Sequence, residues 1–311
     1  MKSHSFRAWY RPKTILVVSD MSEHPVRTLE VISKVQATGA RVFLLPLQKS
    51  HDGIRNVERG FPYLVFDNGS KSPMPVVDDT RRALLWAEIL SESVVLKSAR
   101  FEQVPELAKS ISADIVVLVA PDSSFTQCYP ASFDIGLLAS VEAPVLIFGK
   151  HSDLSSWDHN ECRTILFPIA FGPGLEHQLR FACRLAHHHH ARLTVLHVFE
   201  GRGPHESPWE RTPVAVESRL PIAGLKQEGV LCPMEITVCE GYPEQAILRF
   251  NERKHHDLII LGGPRPSALR RLGHSVVEGV MAQAHCPIVM IAQPVETRSA
   301  AIEPVSHMTS A

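Results

Sequence analysis

The chain has 311 residues, of which 44% are hydrophobic, and its formal net charge is -1 at pH 7. A chain of this length can bury two cores of ordinary size, because single domains cluster near about 100–150 residues. The balanced charge argues against the broad basic field that recruits nucleic acid or an anionic membrane. We therefore predict that neither nucleic acid nor a membrane is a partner.

The cysteines and the N-terminal residues indicate a cytoplasmic protein. The six cysteines form no C-x-x-C pair, so we expect neither a disulfide framework nor a structural zinc site. Residues 1–13 lack the apolar segment of a signal peptide. The apolar runs are also far shorter than the ~20 residues that cross a bilayer. These features predict a reducing compartment and no transmembrane segment.

In the first half of the chain, short apolar runs alternate with amphipathic stretches of helical period. This alternation is typical of β-α-β crossovers around a parallel sheet that is buried on both faces. The predicted strands lie at residues 14–19, 41–47, 94–98, 114–120 and 144–148. The predicted helices lie at residues 24–38, 80–91, 102–112 and 131–141.

The second half of the chain has the same alternation and predicts a second sheet of five strands. Its predicted strands lie at residues 164–169, 192–198, 234–239, 257–261 and 287–292. Its predicted helices lie at residues 175–189, 213–228, 243–254 and 275–284. The fold class predicted for each half is therefore an α/β sandwich around a parallel sheet.

The two halves repeat each other in sequence. Lys13-Thr14-Ile15-Leu16 returns as Arg163-Thr164-Ile165-Leu166, a displacement of 150 residues, and Ala143-Pro144-Val145 returns as Cys286-Pro287-Ile288, a displacement of 143 residues. Such near-constant displacements indicate two homologous units in tandem. We predict a first domain at 1–150, a polar linker at 151–162, a second domain at 163–293 and a tail at 294–311.

Five separated blocks of the second half, together with two of the first, form a recognisable pattern. The blocks are Ile165-Leu166-Phe167-Pro168-Ile169, Leu196-His197-Val198, Glu240-Gly241-Tyr242-Pro243-Glu244, Asp257-Leu258-Ile259-Ile260-Leu261-Gly262 and Ala284-His285-Cys286-Pro287-Ile288, with Ile15-Leu16-Val17-Val18 and Ala143-Pro144-Val145 in the first half. Together they resemble the universal stress protein family. The resemblance implies two Rossmann-like domains of the adenine nucleotide alpha hydrolase type. It also implies that the domains pair through their last strands as an intramolecular pseudo-dimer, and it leaves homodimerisation open.

Some members of this family bind ATP through a loop of Gly, two residues, Gly, nine residues, and Gly followed by Ser or Thr. The positions of this chain that correspond to that loop are Gly262, Gly263, Arg265, His274, Ser275 and Val276. Arg265 stands where the second glycine is expected, so the backbone cannot approach a phosphate there as closely. A guanidinium can nevertheless bind phosphate in its own way. The loop predicts either an altered anion site or a solvated basic segment.

The resemblance also places ligand contacts after the first strand and at the end of the second strand of each unit. The first unit has Asp20, with Ser22 close by, where the family has its nucleotide-binding aspartate, whereas the second unit has Ala170. An Asp or Ser before a helix is equally an N-terminal cap. Val198 corresponds to the residue that packs on adenine, and otherwise it is strand core.

Three functions are compatible with these residues. The first is a non-catalytic stress-response regulator that acts through ligand sensing or through an unidentified protein partner, with no catalytic residues. The second is a module that binds ATP or AMP, with Mg²⁺, and turns ATP over slowly at the arginine-rich loop. The third is a NAD- or flavin-linked enzyme, suggested by Gly172-Pro173-Gly174, although His177 occupies the third glycine position. The run His187–His190 predicts no metal site, because successive helical side chains point about 100° apart.

Overall fold

The structure is a computed structural model that describes most of the second half of the chain and parts of the first half. The described residues are 12–19, 25–36, 39–47, 93–95, 100–119, 137–138, 140–154, 162–172, 174–201, 208–227, 230, 232–263 and 276–292.

The described residues form strands and helices that alternate along the chain. The strands are β1 (Thr14–Ser19), β2 (Arg41–Pro46), β3 (Ser93–Val95), β4 (Ile115–Val119), β5 (Val145–Phe148), β6 (Thr164–Ile169), β7 (Arg192–Phe199), β8 (Met234–Glu240), β9 (Leu258–Gly262) and β10 (Ile288–Ile291). The helices are α1 (Pro25–Gln36), α2 (Val104–Ser110), α3 (Leu175–His188), α4 (Pro213–Arg219), α5 (Ile222–Gln227), α6 (Pro243–Lys254) and α7 (Val276–Gln283). No helix in this part of the chain is long and apolar enough to cross a membrane.

All the strands join in one sheet of ten with the order β3-β2-β1-β4-β5-β10-β9-β6-β7-β8. Within each half every pair of neighbours is parallel. The halves meet where β5 and β10 pair antiparallel, with Leu146 opposite Val289. The predicted parallel α/β fold is confirmed, and the two sheets of five strands are continuous through their last strands.

Two apolar cores lie on opposite faces of the sheet, and each contains residues from both halves. One core includes Ile15 and Phe148 from the first half with Phe167 and Leu179 from the second. The other includes Leu16 and Ile147 from the first half with Leu261 and Met281 from the second. Different helices cover the two cores. Strand side chains alternate between the two cores, as a sheet buried on both faces requires.

An aspartate at the same place in each half fixes the start of the first strand. The Asp257 carboxylate accepts hydrogen bonds from the backbone N–H groups of Arg163 and Thr164, both at 2.8 Å. In the first half the Asp114 carboxylate accepts from the N–H groups of Lys13, at 2.7 Å, and Thr14, at 3.0 Å. These bonds satisfy amide groups at the amino edge of the sheet. The repeated aspartate is therefore a structural part of the fold.

The predicted elements that fall on described residues agree with the structure, with one exception. The predicted helix at 213–228 is wrong, because the chain forms α4 and α5 with a break at Leu220 and Pro221. The residue before a proline is driven out of the helical region, and Leu220 is extended, with φ -76° and ψ 139°. The predicted helix at 80–91, most of the one at 131–141 and the end of the strand at 94–98 lie outside the described residues. The domain boundaries stay predictions.

Candidate ligand-binding site

The second half of the sheet changes direction between β6 and β9. From β6 the chain continues through α3 to β7, on one side of β6, whereas β9 lies on the other side and leads to β10. In open parallel sheets a ligand typically binds at the carboxyl edge at such a switch point. The carboxyl ends of β6 and β9 are therefore the expected position of a ligand-binding site.

β6 and β9 stay paired over only part of their length. Their ladder contains two pairs, Ile165 with Leu258 and Leu166 with Ile259. The matching strands of the first half, β1 and β4, pair over five residues, from Ile15 with Ile115 to Ser19 with Val119. β9 keeps its other neighbour, since the Gly263 N–H donates to the Ile291 carbonyl at 2.8 Å. We call the carboxyl ends of β6 and β9, beyond Leu166 and Ile259 where their ladder ends, the switch-point gap.

Pro168 explains why the ladder ends there. The Thr164 carbonyl accepts a hydrogen bond from the Asp257 N–H, so Thr164 faces β9, and by alternation Leu166 and Pro168 also face β9. Pro168 has no N–H to donate to that strand. The first half has Val18 at the corresponding position, and its ladder continues. A single imino acid therefore ends the hydrogen-bonded ladder of the second pair of strands, whereas the ladder of the first pair continues.

Gly262 and Gln178 lie at the gap on the face that α3 covers. A Cβ atom on Gly262 would overlap the side-chain amide of Gln178, so this position accepts no larger residue while Gln178 keeps its place. Gln178 is only 8% exposed. The Gln178 side chain thus packs directly against the end of β9.

The first half fills the corresponding space in a different way. Thr28 matches Gln178, Ser19 matches Ile169, and Val119 matches Gly262. The Thr28 and Ser19 hydroxyls hydrogen-bond to each other and both residues are buried. Val119, which is 3% exposed, supplies the side chain that Gly262 lacks. The first half therefore has a hydroxyl pair and a valine at the place where the second half has Gln178 packed against Gly262.

A cluster of aromatic rings and arginines borders the same edge of the second half. The His197 ring makes edge contacts with Phe171 and Phe199, at centroid distances of 4.9 and 4.6 Å, and its Nδ1 lies 3.2 Å from the Ile169 carbonyl. The guanidinium of Arg219 lies 3.7 Å from the centroid of the Phe171 ring. The carbonyl oxygen fixes the proton on Nδ1, because only a donor can pair with it.

Arg211 attaches the same cluster to the end of β8. Its guanidinium lies 5.1 Å from the centre of the Phe199 ring and 2.9 Å from the carboxylate of Glu240. It also donates to the Gly201 carbonyl. These contacts fix the Arg211 side chain at the ends of β7 and β8, and Glu240 offsets its charge.

The predicted site residues that the structure describes all lie at this edge. Val198, near the end of β7, is half-buried and pairs in register with Cys239. Gly262 ends β9, Gly263 follows it and is buried, and Val276 begins α7 with 37% exposure. The remaining predicted site residues, Asp20, Ser22, Arg265, His274 and Ser275, lie outside the described residues.

The Cys239 thiol lies at the described edge, opposite Val198 in the β7–β8 ladder. Burial raises the pKa of the Cys239 thiol, so this side chain beside Val198 is neutral near pH 7. Among the described residues no three His, Cys, Asp or Glu side chains are grouped to hold a metal ion, and these residues include His187–His190.

The family model for the universal stress protein family matches residues 161–292, which contain the gap and the whole second sheet. The chain belongs to the universal stress protein family through this second unit. A universal stress protein of Methanocaldococcus jannaschii is 41% identical over 56 residues, which are 18% of this chain and 33% of that protein. The match therefore spans about a third of the length of that curated relative.

Solved universal stress proteins share the tandem fold. A universal stress protein from Archaeoglobus fulgidus aligns with a TM-score of 0.56 and 17% identity, covering 91% of this chain and 97% of that one. A putative universal stress protein from Pseudomonas aeruginosa aligns with a TM-score of 0.52 and 17% identity, covering 92% of this chain and 95% of that one. At these identities the likeness establishes the fold of both units.

Sequence reasoning missed the two residues that distinguish the universal stress protein units most clearly. The sequence analysis places Pro168 in a family block and Gln178 in a predicted helix, and it gives neither residue a role. At the displacement of 150 residues between the halves, Val18 corresponds to Pro168 and Thr28 corresponds to Gln178. Their meaning depends on which neighbour a strand residue faces, and the hydrogen bonds provide that information.

Proposed function

We propose that this chain is a non-catalytic stress-response regulator whose second unit binds an adenine nucleotide at the switch-point gap. The observation that carries the proposal is the unequal pairing of the two halves, with two ladder pairs between β6 and β9 and five between β1 and β4. A ligand at the carboxyl edge can hydrogen-bond only to strand backbone groups that are not already paired with a neighbouring strand. Among the described residues, the shorter ladder at the switch point belongs to the second unit.

The chemistry on the α7 side of the gap supports an anionic ligand. β9 ends at Gly262 and α7 begins at Val276, so the chain between them reaches a helix start, where amide groups favour an anion. The sequence places Arg265, Arg270 and His274 in that connection. These residues can neutralise phosphate charge even though Arg265 replaces a glycine of the family loop.

The regulator acts through a protein partner once its ligand is bound. Large apolar side chains near the end of β8 support this part of the proposal, since Trp209 is 60% exposed and Tyr242 is 77% exposed. Exposed aromatic residues of this kind are enriched where proteins meet. The aromatic and arginine cluster, through Arg211, joins the gap to that surface.

The test is a titration of the purified protein with ATP and with AMP, followed by calorimetry and by thermal unfolding. We expect one nucleotide to bind per chain, and a ligand at about 100 times its Kd to raise the unfolding temperature by about 5 °C. Arg265→Ala should abolish the shift. Arg253→Ala is the matched control, because Arg253 is exposed in the last turn of α6, at the opposite edge of the sheet. No binding at millimolar nucleotide would refute the proposal.

A further inference from the structure

Two cysteines of the second unit are in contact beneath α3, away from the switch-point gap. Cys183 is a residue of α3, is 1% exposed and belongs to the core on that face of the sheet. Cys232 lies between α5 and β8, is half-buried and packs against the same core. The Cys183 thiol donates a hydrogen bond to the Cys232 sulfur. The fold thus brings together two free thiols that are far apart in the sequence.

The backbone on both sides of this contact is attached to the start of β7. Cys232 is followed by Pro233, whose carbonyl accepts a hydrogen bond from the Leu193 N–H at 2.8 Å. The end of α3 is attached to the same place, because the Ala191 N–H donates to the Ala186 carbonyl at 2.8 Å. A disulfide forms without backbone movement only where the fold already holds both cysteines close together. Hydrogen bonds to one strand end provide that condition here.

The two thiols differ in how readily they lose a proton. The hydrogen bond from Cys183 stabilises a thiolate on Cys232 and lowers the pKa of that thiol, although burial opposes the shift. The same hydrogen bond, together with burial, raises the pKa of Cys183. Oxidants react with the thiolate form and need access to it. Cys232 is therefore the more reactive member of the pair, since it is also the more exposed one.

We infer that Cys183 and Cys232 form a redox-modification site, which a hydroperoxide converts into a reversible disulfide between α3 and the segment before β8. In the first step the Cys232 thiolate attacks the peroxide O–O bond, which gives a sulfenic acid at Cys232 and, with the proton that Cys232 released, one water. In the second step the Cys183 sulfur attacks the Cys232 sulfur, the S–O bond breaks, and the hydroxyl leaves with the Cys183 proton as a second water. Two thiols are oxidised to one disulfide while hydrogen peroxide is reduced to two waters.

A thiol reductant returns the pair to thiols by exchange, so such a disulfide is compatible with the reducing compartment that the sequence predicts. The site contains no residue of the switch-point gap. This inference and the proposed function can therefore fail separately.

Peptide mapping by mass spectrometry tests the site in the native chain. The reduced protein is treated with a small excess of hydrogen peroxide, its remaining thiols are alkylated, and the chain is digested. We expect a linked peptide that contains Cys183 and Cys232 and that disappears with dithiothreitol. Cys232→Ser should abolish it. Cys239→Ser is the matched control and should leave it unchanged, because Cys239 is also half-buried but burial raises the pKa of its thiol.

Cys183→Ser separates the two steps, because the serine hydroxyl can still donate to Cys232 but cannot form a disulfide. The sulfenic acid should then persist, and dimedone should label Cys232 about tenfold more than in the native chain. Absence of this labelling would overturn the order of the steps. Three results in the native chain would overturn the inference itself: both thiols still alkylated after peroxide, a disulfide of either cysteine with a different one, or a sulfinic acid at Cys232 without the disulfide.

Discussion

At the scale of single residues, the second unit contains a buried polar network that is separate from the ligand site. His256 lies between the Asn251 Oδ1 atom and the Thr194 hydroxyl, each 3.2 Å from a ring nitrogen, and Asn251 donates to the Cys286 sulfur. Burial lowers the pKa of His256 to about 4, although Asp257 and Glu235 oppose that shift. The ring is therefore neutral at pH 7 in the folded chain.

This neutral histidine predicts a loss of stability on acidification. Below its unfolded pKa of about 6.5, the unfolded chain binds a proton that the folded chain does not, so the free energy of unfolding falls from pH 6.5 towards pH 4. Between pH 7 and 4.5 the native chain should lose on the order of 2 kcal/mol more than His256→Gln, measured by urea unfolding at each pH. Parallel pH profiles of the two proteins would contradict this account.

At the scale of elements, β6 and β9 differ from β1 and β4 in the length of their ladder. Pro168 faces β9 and ends the ladder, and β9 then keeps only β10 as a partner. Apart from Pro168 and Gly262, each strand is as buried as its counterpart in the first unit. One backbone N–H therefore accounts for the shorter ladder.

Pro168→Val tests this directly, because it restores the residue found at Val18. The new N–H should extend the β6–β9 ladder and slow hydrogen exchange in both strands, and ATP affinity should fall by about tenfold or more. Pro233→Val is the control, since Pro233 is an exposed proline just before β8 at the opposite edge. Unchanged ATP affinity in Pro168→Val would show that the ladder does not control access.

The sequence predicts these elements well, but it predicts the site only in part. The bounds of α6 are predicted without error and those of β1 and β6 likewise, because each is a clear apolar or amphipathic run. The helix predicted at 213–228 fails because apolar periodicity continues through Pro221 while the backbone does not. The packing of Gln178 against Gly262 could not be predicted, since it joins residues that are far apart in the sequence.

At the scale of the whole molecule, the two halves form one sheet with a longer ladder at the switch point of the first unit than at that of the second. β5 and β10 join the halves, and Arg27 of α1 donates to the carbonyls of Gly149, Lys150 and Ser152 beside that joint. Both cores continue across it. The proposed function predicts binding in the second unit only.

Hydrogen exchange of the intact chain with and without ATP, read by mass spectrometry, tests that asymmetry most directly. ATP should protect the carboxyl ends of β7 and β9, at residues 196–200 and 259–263, and leave residues 15–19 and 115–119 of the first unit unchanged. Protection of the first unit to the same extent, or no change in either unit, would contradict the account.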